Sequence, residues 1–295
     1  MRIAVTGAGG FLGQHLLPRL VAQVYDAQVL AFSSQDPATL YRHDRVHYRR
    51  RESAASASEM SGVDILVHGE FPRAEDGEAL ALGLSYNRDV FGAAVQADVP
   101  VIVNVSSQSV YSPARERAAA EDTPVSLESP YATAKYATEL LLDVCSSITT
   151  RRSNLRLASL IGPHFNQRVV NKLVKIAMTT GELSVLSGRS LFAFMDVRDA
   201  ADAVIAAVRS KVWDHSEILN VGAPGAYTLE EMASVVATQV TALGGGHVTV
   251  SDSGSEPQRT SSQLDSTAFT DLTGFTPSFQ LSDSVRDIIL ASRAS

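Results

Sequence analysis

Near its start the chain reads Ile3-Ala4-Val5-Thr6-Gly7-Ala8-Gly9-Gly10-Phe11-Leu12-Gly13. A short apolar run leads into a glycine-rich turn, and leucines then recur at helical spacing, which predicts a strand, a turn and a helix. Glycines in such a turn allow positive φ and let the backbone approach a pyrophosphate, which the helix N-terminus stabilises through its N–H groups. The stretch therefore predicts a dinucleotide-binding turn, with a purely structural turn as the alternative. The residues expected to contact the cofactor are Gly7, Gly10, Phe11, Leu12 and Gly13.

Strands and helices alternate through the first half of the chain. Apolar runs predict strands at 28–32, 45–48, 63–68, 99–106 and 154–160, and apolar residues at helical intervals predict a helix over 76–97. This alternation is typical of an α/β fold built on a doubly wound parallel sheet, the Rossmann arrangement.

The second half alternates less regularly. Helices are expected at 168–178 and 197–208, a strand at 218–221, and a helix after the capping-box sequence Thr228-Leu229-Glu230-Glu231. A last helix is expected from Leu281. We expect residues 1–160 and 195–221 to form the cofactor-binding domain, and residues 161–194 and 222–295 to form a smaller C-terminal substrate lobe.

The end of the second predicted strand bears on the choice of cofactor. An acidic residue there binds the ribose 2′-hydroxyl of NAD, whereas a small polar or basic residue leaves room for the 2′-phosphate of NADP. Ser33 occupies this place, with Arg42 and Arg45 following. Both cofactors stay open, and Ser33 favours NADP.

A helix beginning at Pro130 carries the residues best suited to proton transfer. Tyr131 and Lys135 are four residues apart, so on a helix they share a face. A free tyrosine has a pKa of about 10. For it to act as an acid or base at neutral pH, this pKa must be lowered by roughly 3 units, which corresponds to about 4 kcal/mol. A cation about 4 Å away at an effective dielectric of ~20 supplies that energy. Hydroxyls at the end of the fifth strand, Ser106 and Ser107, are placed to share this site.

Composition narrows the class of protein. The 295 residues are 45% hydrophobic and 19% charged, with a net charge of −7, which indicates a globular protein and argues against a nucleic-acid partner. The single cysteine, Cys145, rules out an internal disulfide. We find no signal peptide and no apolar run of about 18 residues, so we expect a cytoplasmic protein without a membrane segment. No metal site is predicted.

Taken together, the motifs resemble those of the extended short-chain dehydrogenase/reductase superfamily, in particular its NAD-dependent epimerase/dehydratase family. The resemblance covers essentially the whole chain. The matching residues, in order, are Thr6-Gly7-x-x-Gly10-x-x-Gly13, Asn87, Ser106-Ser107-x-x-Val110-Tyr111, Pro130-Tyr131-x-x-x-Lys135, Arg156, Gly162-Pro163, Val197-x-Asp199, Asn220-Val221-Gly222, Thr228-Leu229 and Leu272-x-Gly274-Phe275-x-Pro277.

The resemblance implies a role for each catalytic candidate. Tyr131 would be the acid/base and would also contact the cofactor. Lys135 would hold the nicotinamide ribose and lower the tyrosine pKa, and Ser107 would hydrogen-bond the reacting oxygen of a small-molecule substrate. Hydride would pass between a sugar-type carbon and the nicotinamide. The family's dimers imply a homodimer formed through the helices that carry Asn87 and Tyr131.

Departures from the family pattern narrow the reaction. Dehydratases carry an acidic pair where this chain has Gln108-Ser109, and the cysteine of the epimerase-reductases is also absent there. The reactions still open are those that need only hydride transfer with Tyr131 and Ser107, namely 4-epimerisation and keto reduction. An acidic residue is missing after the third strand, at Tyr48-Arg49-Arg50-Arg51, and the usual His-x-Ala-Ala after the fourth strand is His68-Gly69-Glu70-Phe71.

The substrate side departs as well. The arginine that grips a nucleotide-sugar pyrophosphate falls at Phe192 and the matching asparagine at Ser159, so Arg189 or Arg259 would have to compensate. We expect Ser107, Ser159, Arg189 and Arg259 to bind substrate. The leading interpretation is an NAD(P)-dependent sugar or nucleotide-sugar oxidoreductase/epimerase. The alternatives are an NADPH-dependent reductase of a non-nucleotide carbonyl compound and a non-catalytic cofactor-binding regulator.

Overall fold

The computed structural model describes residues 1–72, 76–165, 168–255 and 259–294. Its strands are β1 (Arg2–Thr6), β2 (Gln28–Ser33), β3 (Val46–Arg50), β4 (Ile65–His68), β5 (Val101–Ser107), β6 (Arg151–Leu157), β7 (Ser159–Ile161), β8 (Glu182–Ser187), β9 (Phe194–Asp196), β10 (Ile218–Val221) and β11 (Thr249–Ser255). Its α-helices are α1 (Phe11–Gln23), α2 (Ala57–Met60), α3 (Gly77–Gln96), α4 (Pro130–Cys145), α5 (Val169–Thr180), α6 (Val197–Arg209), α7 (Leu229–Ala242), α8 (Thr267–Thr273) and α9 (Leu281–Ala294).

Seven strands form one sheet in the order β10-β6-β5-β4-β1-β2-β3. Every pairing in this sheet is parallel. The chain runs outward from β1 through β2 and β3, and then crosses back to place β4 on the other side of β1. Such a reversal opens a crevice at the carboxyl ends of the strands. The predicted doubly wound parallel sheet is confirmed.

Helices cover both faces of the sheet, as a parallel sheet requires. Successive residues of β1 point to opposite faces: Ile3 and Val5 belong to the buried cluster that includes α1 and α6, whereas Ala4 belongs to the cluster that includes α3. The sheet is therefore the middle of three layers, and its apolar strands are buried on both sides.

A separate apolar cluster is built by α5, α7, α9 and β8, with Val174, Val236 and Ile289 among its buried members. The predicted capping box starts α7: the Thr228 hydroxyl accepts from the Glu231 N–H, and the Glu231 carboxylate accepts from the Thr228 N–H. The members of this cluster fall within the ranges expected for the substrate lobe, but Phe269 of α8 packs in the first core. The division into domains stays a prediction.

Several elements differ from the sequence-based expectation. The strand expected at 154–160 is two strands, β6 and β7, and β7 pairs with β9 outside the main sheet. Residues 249–255, for which no strand was expected, form β11, which pairs with β8. Helix α8 was not expected. The strands β7 and β11 are weakly apolar and form because each pairs with a strand distant in sequence, so local pattern alone does not reveal them. Among the described residues, no helix combines the length and apolar character needed to cross a membrane.

Candidate active site

A cleft of about 910 Å³ lies at the carboxyl edge of the sheet. Its wall is formed by the ends of β1, β2, β4 and β5, the first turns of α1 and α4, and part of β7. This volume is at the upper end of the range typical of ligand sites, about 300 to 1,000 Å³. The lining includes Gly7, Gly10, Phe11, Leu12, Gly13, Ser33, Ser107, Tyr131, Lys135 and Ser159, all predicted site residues.

The glycine turn leaves room for a dinucleotide against the start of α1. Gly7 has φ of +70°, a conformation that L side chains rarely adopt. A Cβ on Gly13 would lie 2.2 Å from the Gly7 carbonyl oxygen, so only glycine lets helix and turn meet so closely. The N-cap of α1, Gly10, provides no side-chain cap for the first N–H groups of the helix. A backbone of this kind fits a pyrophosphate.

Ser33 is buried where β2 meets the glycine turn. Its Oγ accepts a hydrogen bond of 3.0 Å from the Gln35 N–H. A Cβ on Gly9 would lie 2.4 Å from that Oγ, so the two residues are in direct contact. Arg45, expected near the cofactor's 2′ position, instead donates 2.5 to 3.0 Å hydrogen bonds to three carbonyl oxygens at the end of α1 remote from the cleft.

Helix α4 presents Tyr131 and Lys135 to the cleft. Pro130 begins the helix, and the Ser129 Oγ caps it by accepting from the Ala132 N–H at 3.1 Å. The Lys135 Nζ is buried and donates a 2.6 Å hydrogen bond to the Val105 carbonyl oxygen. Burial lowers the pKa of Lys135 to about 8, and the charge of Glu139 opposes this shift. The ammonium therefore keeps its charge at neutral pH.

Phe71 lies beside both catalytic candidates. Its ring meets the Tyr131 ring edge to face, with 6.1 Å between centroids, and the Lys135 Nζ is 5.2 Å from its centroid. Phe71, Glu70 and Arg168 also line the cleft, although none of them was among the predicted site residues. The position of Glu70 and Phe71 directly after β4 was the available signal.

The two neighbouring serines at the end of β5 have different surroundings. Ser106 is buried and donates to the Glu139 carboxylate. Ser107 faces the cleft, and its Oγ accepts from the Ser109 N–H at 3.2 Å and from the Ser109 hydroxyl at 2.9 Å. A serine oxygen has two acceptor sites, and Ser109 fills both, so the Ser107 hydroxyl is left to donate.

Two buried polar networks hold α4 in place. The Glu139 carboxylate accepts from the Arg156 Nε at 3.0 Å and from its Nη2 at 2.7 Å, which ties α4 to β6. The His68 Nε2 lies 3.0 Å from the Asn87 Oδ1, and the Asn87 amide donates to Thr138 on α4. Burial lowers the pKa of His68 to about 3, so this imidazole is neutral. It connects Thr6 of β1 to Asn87 of α3 by hydrogen bonds.

The predicted substrate-binding residues are not all brought together. Ser159 lies in the cleft. Arg189 and Arg259 are exposed and are not part of its lining, whereas Arg168, just before α5, is. Phe192 is held in an antiparallel bridge with Tyr227.

The sequence of most of the chain, residues 3–222, matches the family model described as NAD dependent epimerase/dehydratase family. The chain belongs to this family. The expected family, which is described as NAD-dependent, is thereby confirmed.

Similar members and structures extend over nearly the whole chain. A dTDP-glucose 4,6-dehydratase from Streptomyces griseus is 24% identical over 303 residues, covering 95% of this chain and 90% of that protein. The structure of a UDP-glucuronic acid 4-epimerase from Bacillus cereus in complex with NAD has a TM-score of 0.84 at 20% identity, covering 100% of this chain and 99% of that one. A dTDP-glucose 4,6-dehydratase from Streptomyces venezuelae with NAD bound has a TM-score of 0.81 at 19% identity, covering 100% and 97%. These likenesses show the fold.

Proposed function

We propose that the protein transfers hydride between a nicotinamide dinucleotide and a hydroxyl-bearing or keto carbon of a sugar or nucleotide-sugar. The observation that carries this proposal is the position of Ser107, Tyr131 and Lys135 along the same cleft as the glycine turn. A non-catalytic regulator has no need for these three side chains at that place.

The residues of the chain divide the remaining work. A nicotinamide dinucleotide held in this cleft would supply the hydride chemistry, and Tyr131 would exchange the proton of the reacting oxygen. The Lys135 ammonium, charged at neutral pH, favours the phenolate form of a nearby tyrosine. Ser107 donates its hydroxyl hydrogen to the reacting oxygen, because Ser109 occupies both of its acceptor sites. Hydrogen bonds from Ser107 and Tyr131 thus stabilise the negative charge that grows on the reacting oxygen.

The cleft supports epimerisation or keto reduction over elimination of water. Gln108 and Ser109 line it where an acidic pair would serve a dehydratase. The substrate lobe offers Arg168 to an anionic substrate, and this residue lies beside the cleft end of α5. Phe192 favours the second candidate, reduction of a non-nucleotide carbonyl compound, because no arginine is present there to pair with a phosphate.

The test is Tyr131→Phe, with Tyr136→Phe on the same helix as matched control. Turnover is measured on a panel of nucleotide-sugars and simple ketones, and cofactor affinity by nicotinamide fluorescence. We expect turnover to fall by about 10²- to 10⁴-fold in Tyr131→Phe, with cofactor affinity retained, because only proton transfer is lost. Unchanged turnover in this variant, or failure of the wild-type protein to bind any nicotinamide cofactor, would contradict the proposal. The preferred substrate class in the panel separates the two candidates.

We also infer a homodimer through α3 and α4. Large apolar side chains on these helices, Leu82, Leu140 and Val144, are exposed in the single chain. Light scattering after size exclusion should give twice the chain mass, and Val144→Glu should give a monomer.

A further inference from the structure

An ion pair joins the two segments in which this chain departs from its family's pattern near the cofactor. Arg51 follows β3 and Glu70 follows β4, and the Arg51 Nε donates to a Glu70 carboxylate oxygen. The Arg51 guanidinium also lies 3.7 Å from the centroid of the Tyr86 ring. The side chains are 28% and 18% exposed, so the pair is shielded from solvent more than a surface contact.

The place of this pair follows from the strand order. Strands β1 and β2 lie between β4 and β3, so a contact from Glu70 to Arg51 crosses the carboxyl ends of both. A dinucleotide with its pyrophosphate at the start of α1 and its nicotinamide near Ser107, beyond β4, must extend its adenosine towards β2 and β3. Glu70 and the Ser33–Gln35 segment line the cleft on that side.

We propose that Glu70 makes the protein select NAD(H) over NADP(H). Its carboxylate accepts hydrogen bonds from the adenosine ribose hydroxyls, and its ion pair with Arg51 withholds that guanidinium from a 2′-phosphate. A phosphate brought to the same place meets a carboxylate and a guanidinium that is already paired. Ser33 alone favoured NADP, but its hydroxyl is engaged within its own loop. This inference rests on the proposed function only in requiring that the cleft bind a nicotinamide dinucleotide.

The experiment measures dissociation constants of NADH and NADPH by nicotinamide fluorescence in nucleotide-stripped protein. We expect the wild type to bind NADH at least tenfold more tightly than NADPH, about 1.4 kcal/mol. Glu70→Gln keeps the size of the side chain and releases Arg51, so NADPH affinity should rise at least tenfold. NADH affinity should change less than about threefold, because the glutamine amide oxygen still accepts from the ribose hydroxyls. The double variant Arg51→Gln, Glu70→Gln should lose that gain.

Glu59→Gln is the matched control. Glu59 pairs with the neighbouring Arg49 at 3.3 Å outside the cleft, so this change alters net charge equally without touching the cofactor site. It should leave both affinities unchanged.

Equal affinity of the wild type for both cofactors would overturn the proposal, as would an unchanged NADH to NADPH ratio in a folded Glu70→Gln variant. Arg50 is exposed and lies opposite Ser33, so wild-type NADPH binding that Arg50→Gln abolishes would also overturn it. Selective NADH binding without turnover on any substrate would leave this inference standing and count against the proposed function.

Discussion

Replacing Lys135 by methionine should stabilise the cofactor-free protein at neutral pH while removing activity. Burial lowers the pKa of Lys135 from 10.5 to about 8 in the folded chain. A lysine with a lower pKa in the folded than in the unfolded state binds its proton less tightly when folded. It therefore destabilises the fold below about pH 8, and the penalty disappears as the pH rises to about 10.5. At about 1.4 kcal/mol per pH unit, lowering the pKa from 10.5 to about 8 corresponds to a penalty of about 3 kcal/mol on the folded state.

Methionine removes the charge and keeps an unbranched apolar chain, but it loses the hydrogen bond to the Val105 carbonyl oxygen, worth about 1 kcal/mol. The net gain in unfolding free energy should be roughly 2 kcal/mol near pH 7 and should vanish towards pH 10. Urea unfolding followed by circular dichroism measures both proteins across this range. Lys172→Met, at an exposed lysine of α5, is the control and should give a flat difference. A Lys135→Met difference that does not change with pH would refute the reasoning.

Two further changes test the polar contacts of the site. Ser109→Ala should lower kcat about threefold to tenfold without changing cofactor affinity. The Ser107 oxygen then regains a free acceptor site, so its hydroxyl donates less consistently to the reacting oxygen. A kcat equal to that of the wild type would exclude this role for Ser109. Glu139→Gln should lower the free energy of unfolding by roughly 3–5 kcal/mol, because it leaves the buried Arg156 guanidinium without its anionic partner. Urea unfolding measures this change, and a loss below about 1 kcal/mol would count against a buried ion pair.

Much of the fold follows from local pattern. The strand at 218–221 is observed with the expected bounds, and α3 (Gly77–Gln96) lies within a residue of the predicted helix 76–97. The glycine turn and the Pro130 helix were also expected, because turn glycines, a proline at the first helical position and apolar periodicity act over a few residues. Ser107, Tyr131 and Lys135 were expected to meet since parallel strands end at one edge.

The candidate site was only partly predictable. The sequence could not show that Arg45 binds the far end of α1 or that Arg189 and Arg259 lie away from the cleft. Nor did it show that Arg51 and Glu70 form an ion pair, because each looked like an isolated departure from the family pattern.

The sequence by itself determined the order of strands and helices and the residue types at the strand ends, since both depend on periodicity and turn chemistry within short windows. Only the tertiary structure decided which side chains meet across long gaps: β7 with β9, Glu139 with Arg156, and Arg51 with Glu70. The physical reason is that such contacts depend on the order of the strands across the sheet, rather than along the chain, and on the direction each side chain takes after its element ends. Neither is encoded in a local pattern.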